Sequence, residues 1–246
     1  SLHRAGLDAE LLVSDAREII ADALGVTPDE VYFTSGATES NNTAIFGAYK
    51  AHGKRKKRVV ISSVEHPAVK NPAQELEDMG CEVIRISPDE NGEINARDIF
   101  AAVNEDTFLV SCMLVNNENG YILPVEKAFS MIKKKYPQVL THCDCVQGFM
   151  KIPVKAKKLN ADMISLSGHK IYAPKGIGAL YVKKGIHIPP FMLGGGQEKG
   201  FRSGTESVPL ICGFGAAVKK LAPNVSANFE KAADIQAYLI EKCNEN

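Results

Sequence analysis

Residues 162–170 read Asp-Met-Ile-Ser-Leu-Ser-Gly-His-Lys, a short apolar run that leads through a glycine turn to two basic side chains. A run of this length that is apolar and bounded by polar residues predicts a buried β-strand. The turn at Ser167 and Gly168 then presents His169 and Lys170 side by side. The stretch therefore predicts a strand of a buried sheet whose carboxyl end delivers a lysine.

A second strand-like run, residues 138–143, is followed directly by a carboxylate, Asp144. In α/β sheets, ligands bind in the crevice outside the carboxyl ends of the strands. A lysine and a carboxylate at that edge fit pyridoxal 5'-phosphate (PLP), with Lys170 carrying the Schiff base and Asp144 keeping the pyridine nitrogen protonated. Taken alone, each residue is better explained as a solvated charge. The PLP hypothesis therefore depends on a phosphate site.

The predicted phosphate site is residues 34–42, Thr-Ser-Gly-Ala-Thr-Glu-Ser-Asn-Asn, which follow a strand-like run and open a helix. A helix N-terminus offers unpaired N–H groups and a positive dipole end to a phosphate. Gly36 allows close backbone approach, and the Thr38 hydroxyl can donate a hydrogen bond. A plain helix start capped by Ser35 or Thr38 explains the same residues about equally well. The G-x-G-x-x-G and P-loop patterns are absent here, which weakens two competing phosphate chemistries.

Other polar residues also follow strand-like runs. His66 could stack on an aromatic cofactor or move protons, or it could simply face solvent before a helix. Gln147 could reach a ring substituent or lie in a first helical turn. For residues 116–120, a turn with no ligand is nearly as good an explanation as a binding site. The glycine-rich loop at 194–205 could equally be an ordinary flexible loop.

The composition is that of a soluble globular chain. The 246 residues include 29 basic and 29 acidic side chains and are 45% hydrophobic, enough for a large core. The dense basic run at residues 54–58 has no interleaved aromatics, so we expect no nucleic-acid partner. No apolar run reaches the roughly 18 residues of a membrane span, so we expect no membrane partner.

The cysteines are scattered, and several lie in strand-like runs: Cys81, Cys112, Cys143, Cys145, Cys212 and Cys243. This usage predicts reduced, buried thiols and a cytoplasmic protein. Cys143 and Cys145 make no recognised metal-binding spacing, and we expect no metal site.

Strand-like and helix-like runs alternate along the chain, which predicts an α/β fold with a mostly parallel sheet covered on both faces by helices. The predicted strands are Val31–Thr34, Arg58–Ser63, Glu82–Ile86, Phe108–Met113, Gln138–Cys143, Ala161–Leu166 and Gly178–Lys183. The predicted helices are Leu2–Leu24, Thr38–His52, Pro67–Met79, Asn95–Val103, Pro124–Lys135, Val208–Leu221 and a last run over about residues 226–246. One domain over residues 1–246 fits best, and because both ends look cut we expect a fragment.

Together and in this order, the motifs resemble those of cysteine desulfurases of the NifS and IscS type, PLP enzymes of the class V aminotransferase group. The resemblance covers nearly the whole chain and is carried by residues 33–40, 65–66, 115–118, 144–147, 165–170, 172–181 and 202–205.

The resemblance implies a three-layer PLP fold type I large domain with a mixed, mostly parallel seven-stranded sheet. It implies that Lys170, His66 and Asp144 are catalytic, with His66 stacking on the ring. The implied cofactor-binding residues are Ala37, Thr38, His66, Asn117, Asp144, Gln147, Ser167, His169, Lys170 and Thr205.

The resemblance also implies partners and a reaction. Thr205 would reach the other subunit's cofactor in a homodimer. L-cysteine would be converted to L-alanine, with its sulfur held as an enzyme persulfide and passed to an acceptor or scaffold protein for iron–sulfur clusters or other uses.

The chain departs from the family in one respect. The nucleophilic cysteine of a mobile Ser/Gly-rich loop, the arginine for the substrate carboxylate and the small C-terminal domain are not in this sequence, nor is the family's N-terminal segment. We therefore expect the chain to be inactive alone. A selenocysteine lyase, a related β-eliminase and a non-catalytic cofactor-binding fragment stay open as alternatives.

Overall fold

A computed structural model describes residues 3–245, and within them seven strands form one sheet in the order β1-β7-β6-β5-β4-β2-β3. β7 runs antiparallel to its neighbours β1 and β6, and the other pairs are parallel. The expected mixed, mostly parallel sheet is confirmed. The strands are β1 Val31–Thr34, β2 Arg58–Ser62, β3 Glu82–Ile86, β4 Thr107–Ser111, β5 Leu140–Asp144, β6 Met163–Ser167 and β7 Gly178–Val182.

Two predicted strand ends are wrong in an informative way. The fifth strand was predicted to end at Cys143, but β5 includes Asp144 as its last residue. β4 ends at Ser111, before the predicted Met113. The Met113 N–H donates to a side chain, Oε1 of Glu65 at 2.8 Å, and so does not pair with a neighbouring strand.

The helices follow the predicted runs closely. They are α1 Arg4–Leu24, α2 Ala37–His52, α3 Pro67–Asp78, α4 Ala96–Ala101, α5 Val125–Lys135, α6 Ala156–Leu159, α7 Val208–Leu221 and α8 Val225–Asn244. The single turn α6 was not predicted, because four residues are too few to show a helical period. Leu2 and Asn246, where the predicted first helix begins and the last ends, lie outside the described residues. None of the helices in residues 3–245 is long and apolar enough to cross a membrane.

Helices cover both faces of the sheet, so the predicted three-layer arrangement is confirmed. The side chains of β2 alternate between two cores, as expected for a strand. Val59 and Ile61 pack in the core under α2 and α3, whereas Val60 packs in the core under α1, α4, α5 and α7. This layering leaves the carboxyl ends of the central strands as an open edge.

A buried histidine links the three central strands. His142 on β5 pairs with Ser111 of β4 through Nδ1 at 2.8 Å and with Ser165 of β6 through Nε2 at 2.9 Å. Burial lowers the pKa of His142 from 6.5 to about 3. The imidazole is therefore neutral in the folded protein and joins the strands as an uncharged bridge.

We expect His142 to make the fold sensitive to acid. Because its pKa is lower in the folded state than in the unfolded state, its stabilising effect is complete above pH 6.5 and falls as the pH drops towards 3. The loss is about 1.4 kcal/mol per pH unit. His142→Gln is expected to lower the free energy of unfolding at pH 7 by about 1–3 kcal/mol. It is also expected to reduce the further loss of stability between pH 7 and pH 4, measured by urea unfolding. Parallel pH curves for the two proteins would contradict the assignment.

Candidate active site

A cavity of about 570 Å³ lies at the carboxyl ends of β5 and β6. It is lined by nine of the ten residues predicted from the sequence: Ala37, Thr38, His66, Asn117, Asp144, Gln147, Ser167, His169 and Lys170. The tenth, Thr205, is exposed and lies in a different cavity, beside Arg17 and Glu206. The fold therefore brings these nine residues from five separate segments of the chain to one place.

Asp144 is a buried carboxylate at the bottom of the site. Its Oδ1 accepts from the Val146 N–H at 3.0 Å, and its Oδ2 accepts from Nδ2 of Asn41 at 2.8 Å. Burial raises the pKa of Asp144, while these two donors and the nearby His66 oppose the rise by favouring the charged form. The carboxylate is thus desolvated but held by donors on both oxygens.

Asn41 lies within the predicted phosphate site, but its contact with Asp144 was not predicted, although the sequence carries a signal for a buried partner. It precedes Ala44, Ile45 and Ala48 on α2 at the spacing of one helical face. All four are buried. A fully polar side chain at the start of an apolar stripe needs a buried partner, and Asp144 is that partner.

The start of α2 faces the cavity without a side-chain cap. The capping position is occupied by Gly36, at φ +151°, which makes no side-chain capping hydrogen bond to the N–H groups of the first turn. Ser35 instead donates through its N–H and Oγ to Glu39 at 2.9 and 2.6 Å. The alternative of a helix capped by Ser35 or Thr38 is therefore wrong. Uncapped N–H groups and the helix dipole suit an anion at this end of the cavity.

Close backbone packing fixes this helix start. A Cβ atom on Gly178 of β7 would lie only 2.7 Å from the Cα of Gly36. The side chain of Ser40 adds a hydrogen bond from its Oγ to the Ala179 carbonyl at 3.1 Å. The turn that ends β1 therefore sits directly on β7, with no room for a larger residue at Gly178.

Ser167 and His169 form a hydroxyl–imidazole pair on the wall of the same cavity, with Oγ and Nδ1 2.8 Å apart. The pKa of His169 is lowered by burial and by the nearby Lys170 and Lys175. Its imidazole is therefore mainly neutral at pH 7, and the pair offers hydrogen bonds more than a fixed charge.

Lys170 follows β6 in a short 3-10 turn, Gly168–Ile171, and its side chain is exposed to the cavity. A second lysine that the sequence analysis missed, Lys151, donates to Oε1 of Gln147 at 2.8 Å. Burial and the charge of Lys170 lower the pKa of Lys151. Because an ammonium group only donates, this contact turns the Gln147 oxygen towards Lys151 and leaves the Gln147 NH₂ group as a donor for other partners.

His66 caps the start of α3. Its Nδ1 accepts from the Ala68 N–H at 3.1 Å. In the neutral imidazole this leaves Nε2 as the nitrogen that carries the proton. The ring is exposed and lines the cavity, so Nε2 is available to a bound molecule.

These features fit PLP. The cofactor needs an anion site for its phosphate, a carboxylate for its ring nitrogen and an amine for its aldehyde. The uncapped start of α2, the buried Asp144 and the exposed Lys170 supply these three groups around one cavity. Asn41, which holds Asp144, also has a buried Oδ1 without a hydrogen-bond partner.

The family model "Aminotransferase class-V" matches residues 1–245. The chain belongs to the class V aminotransferase family. It is 40% identical over 242 residues to a cysteine desulfurase IscS of Dictyoglomus turgidum, covering 98% of this chain but 61% of that protein. The chain thus spans about three fifths of that curated relative.

Solved structures of similar proteins share the fold of this chain. A NifS-like protein superposes with a TM-score of 0.95 at 39% identity, over 100% of this chain and 67% of the other. A structure described as SspA in complex with cysteine superposes with a TM-score of 0.86 at 40% identity, over 95% and 68%. The expected family resemblance is confirmed.

The loop that carries Thr205 in this class V chain is anchored by ion pairs. Glu198, buried, accepts from both terminal nitrogens of Arg17 at 2.7 and 2.8 Å. Arg202 donates to both carboxylate oxygens of Glu39, on α2, at 2.7 and 3.0 Å. The ion pairs join this loop to α1 and to the predicted phosphate site.

The cysteines only partly follow the prediction of buried thiols. Cys81, Cys112, Cys143 and Cys145 are buried, but Cys212 is half-buried and Cys243 is exposed. Cys243 lies near the end of α8. The buried residue of this helix is Val225, at its start. Among residues 3–245, no cysteine lines the cavity that holds Lys170.

Proposed function

We propose that this chain is the PLP-binding large domain of a cysteine desulfurase. The whole protein would convert L-cysteine to L-alanine and pass the sulfur, as an enzyme persulfide, to an acceptor protein. The observation that carries the proposal is the buried Asp144, held by two N–H donors in the cavity that Lys170 and the start of α2 also line. The desulfurase relative and the cysteine complex of a similar protein support the substrate.

Each residue has a physically distinct part in this proposal. PLP, when bound, supplies an electron sink for bonds at the substrate's α-carbon. Lys170 would hold the cofactor through Nζ and accept protons there. Asp144 would keep the proton on the ring nitrogen, because its negative charge favours the protonated form. The Nε2 atom of His66 can carry or release a proton over the same cavity.

The remaining residues would bind and orient the cofactor. Ala37, Thr38, Ser167 and His169 would hold the phosphate, and the NH₂ group of Gln147 would donate to the ring hydroxyl, with Asn117 close by. Thr205 would contact the cofactor phosphate of a second subunit in a homodimer. Its position outside its own chain's cavity, on an anchored loop, supports this part. The buried free thiols support a reducing compartment such as the cytoplasm.

The 246-residue chain alone is expected to bind PLP but not to release sulfide. Sulfur removal needs an exposed thiolate that can approach the substrate, and none of the described cysteines lines the cavity. The measurement is alanine and sulfide release from L-cysteine, compared with free PLP and with the whole native protein. Selenocysteine as a parallel substrate tests for a lyase.

The two proteins separate the possible outcomes. Sulfide and alanine from the whole protein, with background levels from the 246-residue chain, support the proposal. Turnover by the short chain above free PLP would contradict its inactivity, and Cys145→Ser would then be the first variant to test. No turnover by the PLP-loaded whole protein would overturn the desulfurase proposal itself.

A further inference from the structure

A second buried carboxyl group lies beside Asp144 and has no part in the function proposed above. Glu65, in the turn between β2 and α3, is 1% exposed. In the described part of the chain, its Oε2 and the Oδ1 of Asn41 are the buried side-chain atoms that lack a hydrogen-bond partner. A buried carboxylate oxygen without a donor is costly, so its protonation state needs an explanation.

The contacts of Glu65 are all on one oxygen. Its Oε1 accepts from the Met113 N–H at 2.8 Å and from Oγ of Ser62. Neither partner is charged. Two donors on Oε1 leave Oε2 as the oxygen on which a proton would reside.

The charges around Glu65 favour its neutral form. The negative charge of Asp144 disfavours a second negative charge on Glu65. The positive charge of Lys70, on α3, acts in the opposite direction but more weakly. The Cys112 thiol also faces it, and the pKa of that thiol is raised by burial and by Glu65. Burial raises the pKa of Glu65 to about 8, against the hydrogen bonds from Ser62 and Met113, which lower it. Asp144 adds to the rise, and Lys70 opposes it.

Asp144 is better prepared to hold a charge than Glu65 is. Each of its oxygens accepts from an N–H donor, and His66 favours its ionised form. When two buried carboxyl groups lie close together, one ionises and the other keeps its proton. The hydrogen bonds place the charge on Asp144.

We infer that Glu65 is a neutral carboxylic acid, protonated on Oε2, which confines the negative charge of the buried pair to Asp144. This inference deepens the proposed function, since an ionised Glu65 would make Asp144 harder to ionise and weaken its hold on a protonated ring nitrogen. Glu65 is thus a positioning residue that acts through Asp144.

The first test uses the cofactor-free chain, so that its result is independent of the proposed function. The infrared carbonyl band of a buried protonated carboxyl group is expected at pH 6 in the wild type and is expected to disappear in Glu65→Gln. Gln keeps the acceptor oxygen for Met113 and Ser62 and replaces the acid proton with an amide donor. A wild type without that band, or a band that Glu65→Gln leaves unchanged, would overturn the inference.

Unfolding measured against pH provides a second readout. The pKa of Glu65 is higher in the folded state than in the unfolded state, so its stabilising effect is complete below pH 4.5 and is lost as the pH rises through about 8. Relative to Glu65→Gln, the wild-type unfolding constant is expected to rise by up to about tenfold per pH unit in that window. Parallel curves would overturn the inference.

Asp144→Asn supplies the coupling control. Removing the neighbouring negative charge should move the alkaline loss of the Glu65 proton to a lower pH, and an unmoved infrared titration would show that the two groups are not a pair. In the PLP-loaded whole protein, the cofactor absorbance of the wild type is expected to change as Glu65 loses its proton near pH 8. Glu65→Gln is expected to have the same cofactor absorbance at pH 7 but to lack that change. Identical spectral titrations in wild type and Glu65→Gln would overturn the positioning role.

Discussion

Borohydride reduction of the PLP-loaded protein is expected to attach the cofactor covalently to Lys170, and Lys170→Ala is expected to lose both this label and catalytic turnover above free PLP. Lys170 is exposed in the cavity and follows β6 at the edge where Asp144 also lies. A lysine amine is required to retain a cofactor aldehyde covalently. Peptide mapping by mass spectrometry locates the label.

Lys151 and Lys175 are the matched controls for this experiment. Lys175 lines the same cavity. Lys151 has a pKa lowered by burial and by Lys170, which increases its share of reactive neutral amine, but its Nζ is bonded to Gln147. Lys151→Ala and Lys175→Ala are therefore expected to keep the label on Lys170. A label on either of these lysines in the wild type would sink the assignment.

The sheet was predictable because its strands differ sharply from their surroundings. Apolar runs such as residues 163–167 are bounded by polar turns, and the alternation with helices fixes the fold class. The strand order could not be predicted from such local patterns, since pairing depends on contacts between distant segments. The early end of β4 is an example, because it follows from the bond between the Met113 N–H and Glu65, 48 positions apart.

The site residues that lie at the carboxyl ends of strands could be predicted from the sequence. Lys170 and Asp144 follow the rule that ligands bind outside the carboxyl ends of strands. Lys151 had no such signal, because its role depends on a contact with Gln147 on an irregular segment. The anchoring pairs Arg17–Glu198 and Glu39–Arg202 join residues 181 and 163 positions apart. No local pattern marks the two members of such a pair as partners.

Asp144→Asn is expected to reduce kcat of the whole enzyme by roughly 10- to 150-fold while changing PLP affinity only a few-fold. The variant keeps the shape of the side chain but removes the charge that would stabilise a protonated ring nitrogen. A charge-assisted hydrogen bond of this kind is worth about 1.5–3 kcal/mol, and each 1.36 kcal/mol changes a rate tenfold.

The surroundings of Asp144 make this substitution a clean test of charge. An amide at position 144 cannot accept from both Val146 and Asn41, so its NH₂ group will face one of them. The Oδ1 atom of Asn41 is buried without a partner, and a flip of the Asn41 amide presents that oxygen to the new NH₂ group. The hydrogen bond is then restored, and we expect the free energy of unfolding at pH 7 to change by less than about 1 kcal/mol.

Asn41→Ala is the matched control, because it removes one donor to Asp144 and leaves the charge in place. It is expected to destabilise the fold more than Asp144→Asn does, since it leaves a cavity and an unpaired carboxylate oxygen, but to lower kcat less. The measurements are kcat and KM for L-cysteine, PLP dissociation followed by fluorescence, and urea unfolding of all three proteins. Unchanged kcat in Asp144→Asn would show that the carboxylate is structural, and a kcat loss matched by an equal loss of PLP affinity would assign it to cofactor binding alone.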